Sequence, residues 1–600
     1  MNCDLLGELM AKALFVCARH PRPELPQRLA PICNTLRPEP LTTPPRIWHR
    51  QGITCGIASP GPLTEEHGAS LLMGTLFDHH QDWHQPGTAH PDGSFALFRG
   101  DDHAVEVLTD PGGSRTIWYF HNDDLFAAST SQLALIALLG SFEFDPATIA
   151  WLCSTSGLGP GLSWDRRLRA LPPDSLLRLD RSSWTTTLSR TPATFAPSPR
   201  PATFHRQNLL AALLDALDSL SLDLSTCALS LSGGYDSRAL LSLLHHLGRD
   251  LRGLTTVTWG TPEAPRRAHT DAAIARRVAA HYGLEHRYFP LRSAPDRLEN
   301  TVDRFLTCGE GRVDHIAGYL DGFGLFETLH HQRLTALLRG DEAFGLKVQT
   351  TASPLTVRLS VRFGLFQDFE NLGDPRRFGL PPQEIPFPLQ QRPAESLSTY
   401  RDRLFHEYKL PFVVAALNDL KAPFIEPISP LLSRRILFAL RALPDELRNR
   451  KLLFRQIIDA LGPPIPIATA SANPRTCEAL RSSGLLELLL DELHSLDTTA
   501  VLPPALVRHV LADLDRIAGS GPGSFVARLY HGLRVLGART TPRPLKNRLV
   551  GRSVTPRIDP ALLAWRLFLV ARMHRRLQAA SLLHTFSGPT PPISMVSATS

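Results

Sequence analysis

A short glycine turn between an apolar run and a helix-type pattern constrains this chain more than any other feature. The apolar run ends at Leu231, the turn has the sequence Ser-Gly-Gly-Tyr-Asp-Ser over residues 232–237, and apolar residues then recur with helical spacing. Glycines let backbone N–H groups approach an anion, and the N-terminus of a helix adds a favourable field. Leu231 to Ser237 are therefore predicted to form a pyrophosphate cradle at the end of a strand.

Each polar group of this turn has an expected role. The backbone N–H groups of Gly233 and Gly234 are expected to hold the β- and γ-phosphates of ATP. The hydroxyls of Ser232 and Ser237 are expected to add donors, and Asp236 is expected to hold Mg²⁺. The turn resembles the signature of enzymes that split ATP into AMP and pyrophosphate, and it lacks the lysine and longer spacing of a Walker loop. The alternative is an ordinary glycine-rich turn.

A second acidic turn follows a later apolar run and has the sequence Arg-Gly-Asp-Glu-Ala-Phe-Gly over residues 339–345. In open parallel sheets, ligands bind at the carboxyl ends of the strands. Gly340 and Asp341 are therefore expected at the same edge as the cradle, with Asp341 sharing the Mg²⁺ held by Asp236. Alone, a Gly-Asp-Glu triplet is more often a solvated turn than a metal site.

Lys451 is a third candidate, at the start of a Lys-Leu-Leu-Phe-Arg segment in a helix-type stretch that precedes Gly462. A lysine beside an activated carboxylate can neutralise the charge that develops during attack and on the leaving group. An exposed helix lysine is the alternative.

The pattern of apolar residues predicts an α/β fold. From about residue 204, strand-type and helix-type stretches alternate, which predicts a parallel sheet with helices on both faces. Earlier residues alternate short apolar runs with turn signals, as in a β-rich domain. The predicted division is an extension over residues 1–50, the β-rich domain over 51–190, a Pro-rich linker over 191–203, the α/β domain with a helical C-terminal part over 204–585, and an unstructured tail over 586–600.

Composition limits the class of protein. The formal net charge of +7 is small for 600 residues, so an RNA contact or acidic substrate is permitted but not required. Eight scattered cysteines without a Cys-x-x-Cys pair favour a reducing cytoplasm over a disulfide framework or zinc site. The N-terminal residues carry Asp4, Glu8 and Lys12, so no secretory signal is expected. No apolar run of about twenty residues predicts a membrane span.

Together, these segments resemble the synthetase domain of the asparagine synthetase family. That domain is characterised by Ser-Gly-Gly-x-Asp-Ser, Gly-x-Asp-Glu-x-Phe-Gly and Lys-x-x-Leu-Arg, and the stretches from Asp271 and over Phe424–Leu432 are similar to further family segments. Upstream, Asp92–Ala96 and Asp110–Arg115 resemble the family's N-terminal amidotransferase-like (Ntn) domain. The resemblance covers roughly residues 90–465 and implies an ATP-pyrophosphatase fold.

The N-terminal part departs from the family where its glutaminase chemistry would be. That glutaminase needs an N-terminal cysteine as nucleophile. Here Cys3 follows Met1-Asn2, Cys55 is internal, and the chain has no Asn-Gly dipeptide for the glutaminase oxyanion hole. We therefore expect a degenerate amidotransferase-like domain and an attacking amine other than glutamine-derived ammonia.

Two branches of the family use an amine already present in the substrate, namely β-lactam-type synthetases and lasso-peptide macrolactam synthetases. The lasso branch is the closer resemblance, because Ser482–Leu489 has the sequence Ser-Ser-Gly-Leu-Leu-Glu-Leu-Leu. This resemblance implies closure of an isopeptide ring in a ribosomally made precursor peptide, with ATP, Mg²⁺ and a companion leader-peptide protease. It also implies that Trp259 lies near the adenine. A family glutamate that serves as base would fall at Leu338, so Glu342 is the substitute candidate. The alternative for Glu342 is an outward-facing turn residue.

Three other functions stay open at this point. One is another amide-forming synthetase, of asparagine or β-lactam type. A second is a tRNA-modifying ATP pyrophosphatase, which would share the glycine turn and use the basic stretch 539–557. A third is a peptide-binding scaffold without catalysis. No nucleic-acid partner and no membrane contact are expected under the lasso interpretation.

Overall fold

The apolar runs of the first 190 residues form two antiparallel sheets of six strands each. The computed structural model describes residues 12–38, 44–78, 81–291, 297–341, 343, 353–519 and 556–583. The strands of this part are β1 (Lys12–Ala18), β2 (Arg46–Arg50), β3 (Ile53–Ala58), β4 (Thr64–His67), β5 (Ser70–Leu76), β6 (Gly93–Gly100), β7 (Ala104–Thr109), β8 (Trp118–His121), β9 (Leu125–Ser129), β10 (Arg169–Ala170), β11 (Ser175–Asp180) and β12 (Thr185–Arg190). The order is β10-β8-β9-β1-β3-β2 in the first sheet and β12-β11-β7-β6-β5-β4 in the second.

An apolar layer fills the space between these two sheets, and helices cover the other face of the first sheet. Successive residues of a strand point to opposite faces, so Phe15 lies between the sheets while Leu14 and Val16 face the helices. The helices that share this outer cluster are α1 (Leu25–Thr35), α2 (Gln132–Leu139) and α3 (Ala147–Thr155). The front part is β-rich, as predicted.

The start of the chain differs from the prediction of an extension over residues 1–50. Strand β1 is an inner strand of the first sheet, paired with β3 on one side and β9 on the other. All residues from Ala13 to Cys17 are fully buried. The surrounding prolines hid this apolar run in the sequence, because they indicated a loop-rich segment.

Beyond residue 220, five strands form the parallel sheet that the sequence predicted. They are β13 (Cys227–Ser230), β14 (Thr255–Gly260), β15 (His286–Pro290), β16 (Ala336–Arg339) and β17 (Glu426–Ile428). Their order is β15-β14-β13-β16-β17, and every pairing is parallel. The carboxyl ends of all five strands therefore meet at one edge.

Helices cover both faces of this sheet, because its strands are apolar on both sides. Ala228, Val257 and Leu337 point into one cluster, and Leu229 and Leu338 point into the other. The helices of this part are α4 (Ala202–Asp218), α5 (Tyr235–His246), α6 (Asp271–His281), α7 (Leu298–Gly309), α8 (Gly324–His331), α9 (Pro354–Ser360), α10 (Leu397–Leu404), α11 (Ala415–Asp419), α12 (Arg434–Arg441), α13 (Asp445–Arg448), α14 (Leu452–Leu461), α15 (Thr476–Ala479), α16 (Ser483–His494), α17 (Leu496–Val501), α18 (Pro504–Gly519) and α19 (Pro560–Ser581). A π-helical segment, Phe405–Val414, connects α10 to α11.

The Pro-rich stretch before α4 has no helix or strand, yet its backbone is bound to the second part of the chain. Ala193 N donates to Glu407 Oε1 (2.6 Å), and Ala196 N and Ser198 N donate to carbonyl oxygens at the end of α12. These hydrogen bonds attach the stretch to the α/β part. The predicted tail over residues 586–600 lies outside the described residues.

Within the described ranges, no helix has the length and apolar character needed to span a bilayer.

His406 contacts Ala343, which lies shortly after β16. Its Nε2 atom lies 2.7 Å from the carbonyl oxygen of Ala343, and its Nδ1 atom lies 3.3 Å from Nε of Arg441. An arginine can only donate and a carbonyl can only accept. The ring is therefore neutral, with its proton on Nε2. Burial, followed by the nearby Arg441, lowers the pKa of His406 to about 3.

We expect this histidine to make the fold sensitive to acid. Because its folded pKa lies below the ordinary value of 6.5, its contribution to stability is complete above pH 6.5 and is lost as the pH falls towards 3. His406→Gln keeps one donor and one acceptor but does not titrate. From pH 6.5 to 4.5 the variant should lose about 1–3 kcal/mol less free energy of unfolding than the wild type. Urea unfolding at both pH values measures this difference, and equal losses would contradict it.

Candidate active site

The glycine turn is closed by its own serine hydroxyls. Ser232 N donates to Ser237 Oγ (2.9 Å), the two hydroxyl oxygens lie 3.0 Å apart, and Gly234 N donates to Ser232 Oγ (3.1 Å). Helix α5 begins at Tyr235 with Gly234 as its N-cap, which has no side chain to cap the first turn. The N-terminal N–H groups of α5 therefore face the turn without a side-chain cap, as an anion site requires.

Lys451 lies on the carboxylate of Asp236. Its Nζ atom is 2.6 Å from Oδ1 and 2.7 Å from Oδ2, and both side chains are buried. Lys451 and the preceding Arg450 have φ near +56°, the left-handed region that side chains rarely adopt. A strained backbone of this kind persists only where its surroundings enforce it. The structure thus brings two predicted site residues together, and the alternative of an exposed helix lysine is wrong.

Asp341 is held by a basic side chain and a hydroxyl. Arg339 donates to it from Nε and Nη2 at 2.9–3.2 Å, and Ser429 donates from Oγ to Oδ2 at 2.5 Å. Burial raises the pKa of the Asp341 carboxyl, but Arg339 and the Ser429 hydroxyl outweigh burial and hold the pKa below its ordinary value. The carboxylate is therefore ionised over the whole range in which the protein would work.

Gly340 allows the two acidic loops to touch. A Cβ atom placed on Gly340 would lie 2.4 Å from Ser237 N and 2.6 Å from the carbonyl carbon of Asp236. Both neighbours are backbone atoms, so neither can move aside at low cost. Gly340 therefore packs directly on the first turn of α5, and Asp341 is the next residue of the same loop.

Asp271 also reaches the cradle, although sequence reasoning gave it no role. Its Oδ1 atom accepts a hydrogen bond from Gly233 N at 3.2 Å. Asp271 is the first residue of α6, where a carboxylate is favoured by the helix dipole. Ser429 was missed as well. Both residues lie in segments that resemble the family, and that resemblance was the one signal that could have indicated them. Their contacts join residues 38 and 88 positions apart, which no local pattern reports.

The remaining predicted site residues are Leu231, Trp259 and Glu342. Leu231 is buried, and its carbonyl oxygen accepts from Thr258 Oγ1 at 2.5 Å, which joins β14 to the cradle. Trp259 follows Thr258 but packs against Phe326, with ring centroids 6.1 Å apart. Its proximity to an adenine stays a prediction. Glu342 lies outside the described residues.

Asp236 and Asp341 fit a Mg²⁺ that binds together with phosphate groups. Among the residues that the structure describes, no group of three or more His, Cys, Asp or Glu side chains could hold a metal ion. Mg²⁺ is usually bound by one or two carboxylates and by phosphate oxygens of the substrate. Two ionisable carboxylates beside an anion cradle supply that donor set.

One family model matches part of this chain. Residues 208–345 match the model described as asparagine synthase. That range contains the cradle, Trp259 and the loop with Asp341, whereas Lys451 lies beyond it. No curated protein matches the chain.

Among solved structures, one similar chain is described as the allosteric regulatory enzyme of purine biosynthesis, with 10% identity, a TM-score of 0.20 and coverage of 47% of this chain and 82% of that chain. Another is glutamine phosphoribosylpyrophosphate (PRPP) amidotransferase from B. subtilis in complex with ADP and GMP, with 9% identity, a TM-score of 0.19 and coverage of 56% and 82%. At these TM-scores the likeness supports no conclusion about the fold. Residues 208–345 are thus similar to asparagine synthases, and this match supports an ATP-dependent amide-forming enzyme.

Proposed function

We propose that this protein is an ATP-dependent ligase that closes a macrolactam ring in a ribosomally made peptide. The observation that carries the proposal is the buried contact of Lys451 with Asp236 at the glycine cradle. That contact joins a lysine ammonium to a carboxylate that would bind metal, next to a glycine turn that would hold phosphates. The match of residues 208–345 to asparagine synthase supports the reaction class. The peptide substrate rests on the resemblance of Ser482–Leu489 to the lasso branch.

The proposed reaction has two steps. First, an oxygen of an Asp or Glu side chain of the peptide attacks the α-phosphorus of ATP, the bond to the β-phosphate breaks, and pyrophosphate leaves. Second, the N-terminal amine of the same peptide attacks the acyl carbon, a C–N bond forms, the C–O bond to AMP breaks, and AMP leaves. Glu342 is our candidate to accept the proton that the amine releases.

Each residue of the cradle has a role in this scheme. Ser232, Gly233, Gly234 and Ser237 would hold the phosphates that leave as pyrophosphate. Asp236 and Asp341 would hold Mg²⁺, which supplies positive charge to the departing pyrophosphate. Lys451 would neutralise charge in the tetrahedral step and on AMP.

Burial of Cys55 supports an amine that does not come from glutamine. The residue lies inside β3 and is fully buried. Burial, to which Cys33 and Glu66 add, raises the pKa of the Cys55 thiol well above its ordinary value. A nucleophilic cysteine needs the thiolate form. We therefore propose that no glutaminase step precedes ring closure. The companion protease that would free the peptide amine rests on the family resemblance alone.

The first experiment follows pyrophosphate, AMP and peptide mass with Mg²⁺-ATP and a core peptide. The peptide carries a free N-terminus and an Asp or Glu several residues away. Peptide-dependent release of both products, with a peptide lighter by one water, supports the proposal. ATP cleavage without loss of water would indicate another acceptor, such as a small amine or tRNA. An absence of ATP turnover with every peptide would favour a scaffold without catalysis.

Asp236→Asn should lower the rate of pyrophosphate release at least about 100-fold, because it removes a metal-binding charge worth several kcal/mol. The matched control is Asp250→Asn, an exposed carboxylate beyond the opposite end of α5. The control should keep the wild-type rate. Equal rates for Asp236→Asn and the control would remove Asp236 from the reaction.

Lys451→Met should lower kcat about 10²–10³-fold while the KM for peptide changes little, because the charge acts in the transition state. Steady-state kinetics with the core peptide measure both constants. Lysine restored by chemical means, through Lys451→Cys and alkylation with bromoethylamine, should recover part of the activity. A loss confined to KM would assign Lys451 to binding instead.

Gly340→Ala should separate the two acidic loops. The added methyl group would meet backbone atoms of α5, and a displacement of about 1 Å can reduce catalysis about 100-fold. Gly318→Ala is the control, because a Cβ there meets nothing within 4 Å. Pyrophosphate release and thermal unfolding of both variants test the expectation. Wild-type activity in Gly340→Ala would show that the contact is dispensable.

A further inference from the structure

Two motifs of the N-terminal part contact one segment of the α/β part. The motifs are Asp92–Ala96 and Asp110–Arg115, which resemble the amidotransferase-like domain of the family. The proposed reaction does not use either of them. The segment is residues 426–434, which contains β17, the turn after it and the start of α12. We name it the clamped segment.

Arg115 holds the first end of the clamped segment. Its guanidinium binds the carboxylate of Glu426 through two N–H groups, and the Nε–Oε1 distance is 3.1 Å. The two side chains are only 4% and 8% exposed, and they lie 311 positions apart. Paired donors on both carboxylate oxygens fix orientation as well as distance. The first residue of β17 is therefore positioned by the N-terminal part.

Asp92 holds the other end. Its carboxylate accepts a hydrogen bond from Ser433 Oγ at 2.7 Å and from Arg434 N at 2.9 Å. Arg434 is the first residue of α12, so a carboxylate from a distant part of the chain caps this helix. Arg434 also binds Asp174 at 2.6 Å.

Asp110 builds the loop that presents Arg115. It accepts hydrogen bonds from Gly112 N (2.9 Å) and Phe95 N (3.1 Å), which link the two motifs. Gly112 lies against the clamped segment, because a Cβ there would be 3.0 Å from Leu432 Cβ. The middle of the segment is thus in contact with the same loop.

Ser429 lies between the two held ends, and it is the residue that donates to Asp341 Oδ2. Because the clamped segment is short and is held at residue 426 and at residues 433–434, Ser429 has little freedom. The hydroxyl is therefore aimed at the metal-binding carboxylate by contacts outside the α/β part.

We propose that Arg115 is a positioning residue for the metal site, acting through Glu426 and Ser429 on Asp341. The N-terminal part, which lacks glutaminase features, then serves to hold the clamped segment. The metal role of Asp341 rests on the proposed function, but the positioning of the segment does not. The experiment therefore has one measurement that needs activity and one that does not.

The experiment compares wild type with Arg115→Met, Glu426→Gln and Ser429→Ala in the full chain. Arg178→Met is the matched control, because it removes another ion pair of the N-terminal part, the one between Arg178 on β11 and Glu106 on β7. Hydrogen–deuterium exchange with mass spectrometry reports on residues 426–434 without any substrate. Pyrophosphate release at varied Mg²⁺ gives the half-saturating metal concentration, alongside the KM for peptide.

We expect exchange in the clamped segment to be at least about tenfold faster in Arg115→Met and to rise in Glu426→Gln. Exchange in the control should match the wild type. Half-saturating Mg²⁺ should rise about 3–10-fold in Arg115→Met and Ser429→Ala. The double variant Arg115→Met/Ser429→Ala should need no more Mg²⁺ for half-saturation than the weaker-binding single variant, because both substitutions act through one contact. The KM for peptide should stay constant.

Wild-type exchange in both Arg115→Met and Glu426→Gln would overturn the proposal, and so would additive effects on Mg²⁺. Faster exchange in Arg178→Met as well would also overturn it, because that would indicate general loosening. If Arg115→Met fails to fold, the isosteric Glu426→Gln decides. If the wild type releases no pyrophosphate, the proposed function fails, and the exchange measurement alone supports or overturns the positioning by Arg115.

Discussion

The ion pair of Lys451 with Asp236 connects two segments that lie 215 positions apart and fixes the starts of α5 and α14. Removing two charges from water is costly, and only close contact of both carboxylate oxygens with the ammonium offsets that cost. Loss of one partner would leave an uncompensated buried charge. Asp341 is neutralised in the same way by Arg339. A metal ion bound by Asp236 and Asp341 would therefore share these carboxylates with Lys451 and Arg339 or replace those cations on them.

The strand, glycine turn and helix around residue 232 could be predicted because their signals are local. An apolar run, two glycines and helical spacing follow each other within about twenty residues. The same is true of the alternating strand-type and helix-type stretches that predicted a parallel sheet from about residue 204. Lys451 was predicted as a site residue, but its setting was not. A left-handed backbone at two consecutive basic residues leaves no mark in the sequence, because tertiary contacts enforce it.

Contacts over long separations account for most of what the sequence did not indicate. Strand β1 was missed because its partners β3 and β9 decide its role, while the prolines around it suggested a loop. Asp271 and Ser429 were missed because their function depends on which loops meet at the edge of the sheet. Short β17 was likewise absent from the prediction, although its residue Ile428 and the nearby Phe424 are fully buried. Patterns of one strand or helix cannot report such pairings.

The separation between Arg115 and Glu426 also affects the order in which the protein can fold during synthesis. At a typical rate of about 5–20 residues per second, the ribosome needs roughly 15–60 s to proceed from one to the other. Throughout that interval Arg115 and Asp92 lack the partners that they have in the finished structure, and Lys12 lacks Glu310 for more than half of it. The two antiparallel sheets can pack against each other early, but the surface that carries Arg115 and Asp92 stays without its partner segment. This chain would therefore most need a chaperone while only its N-terminal part has been synthesised.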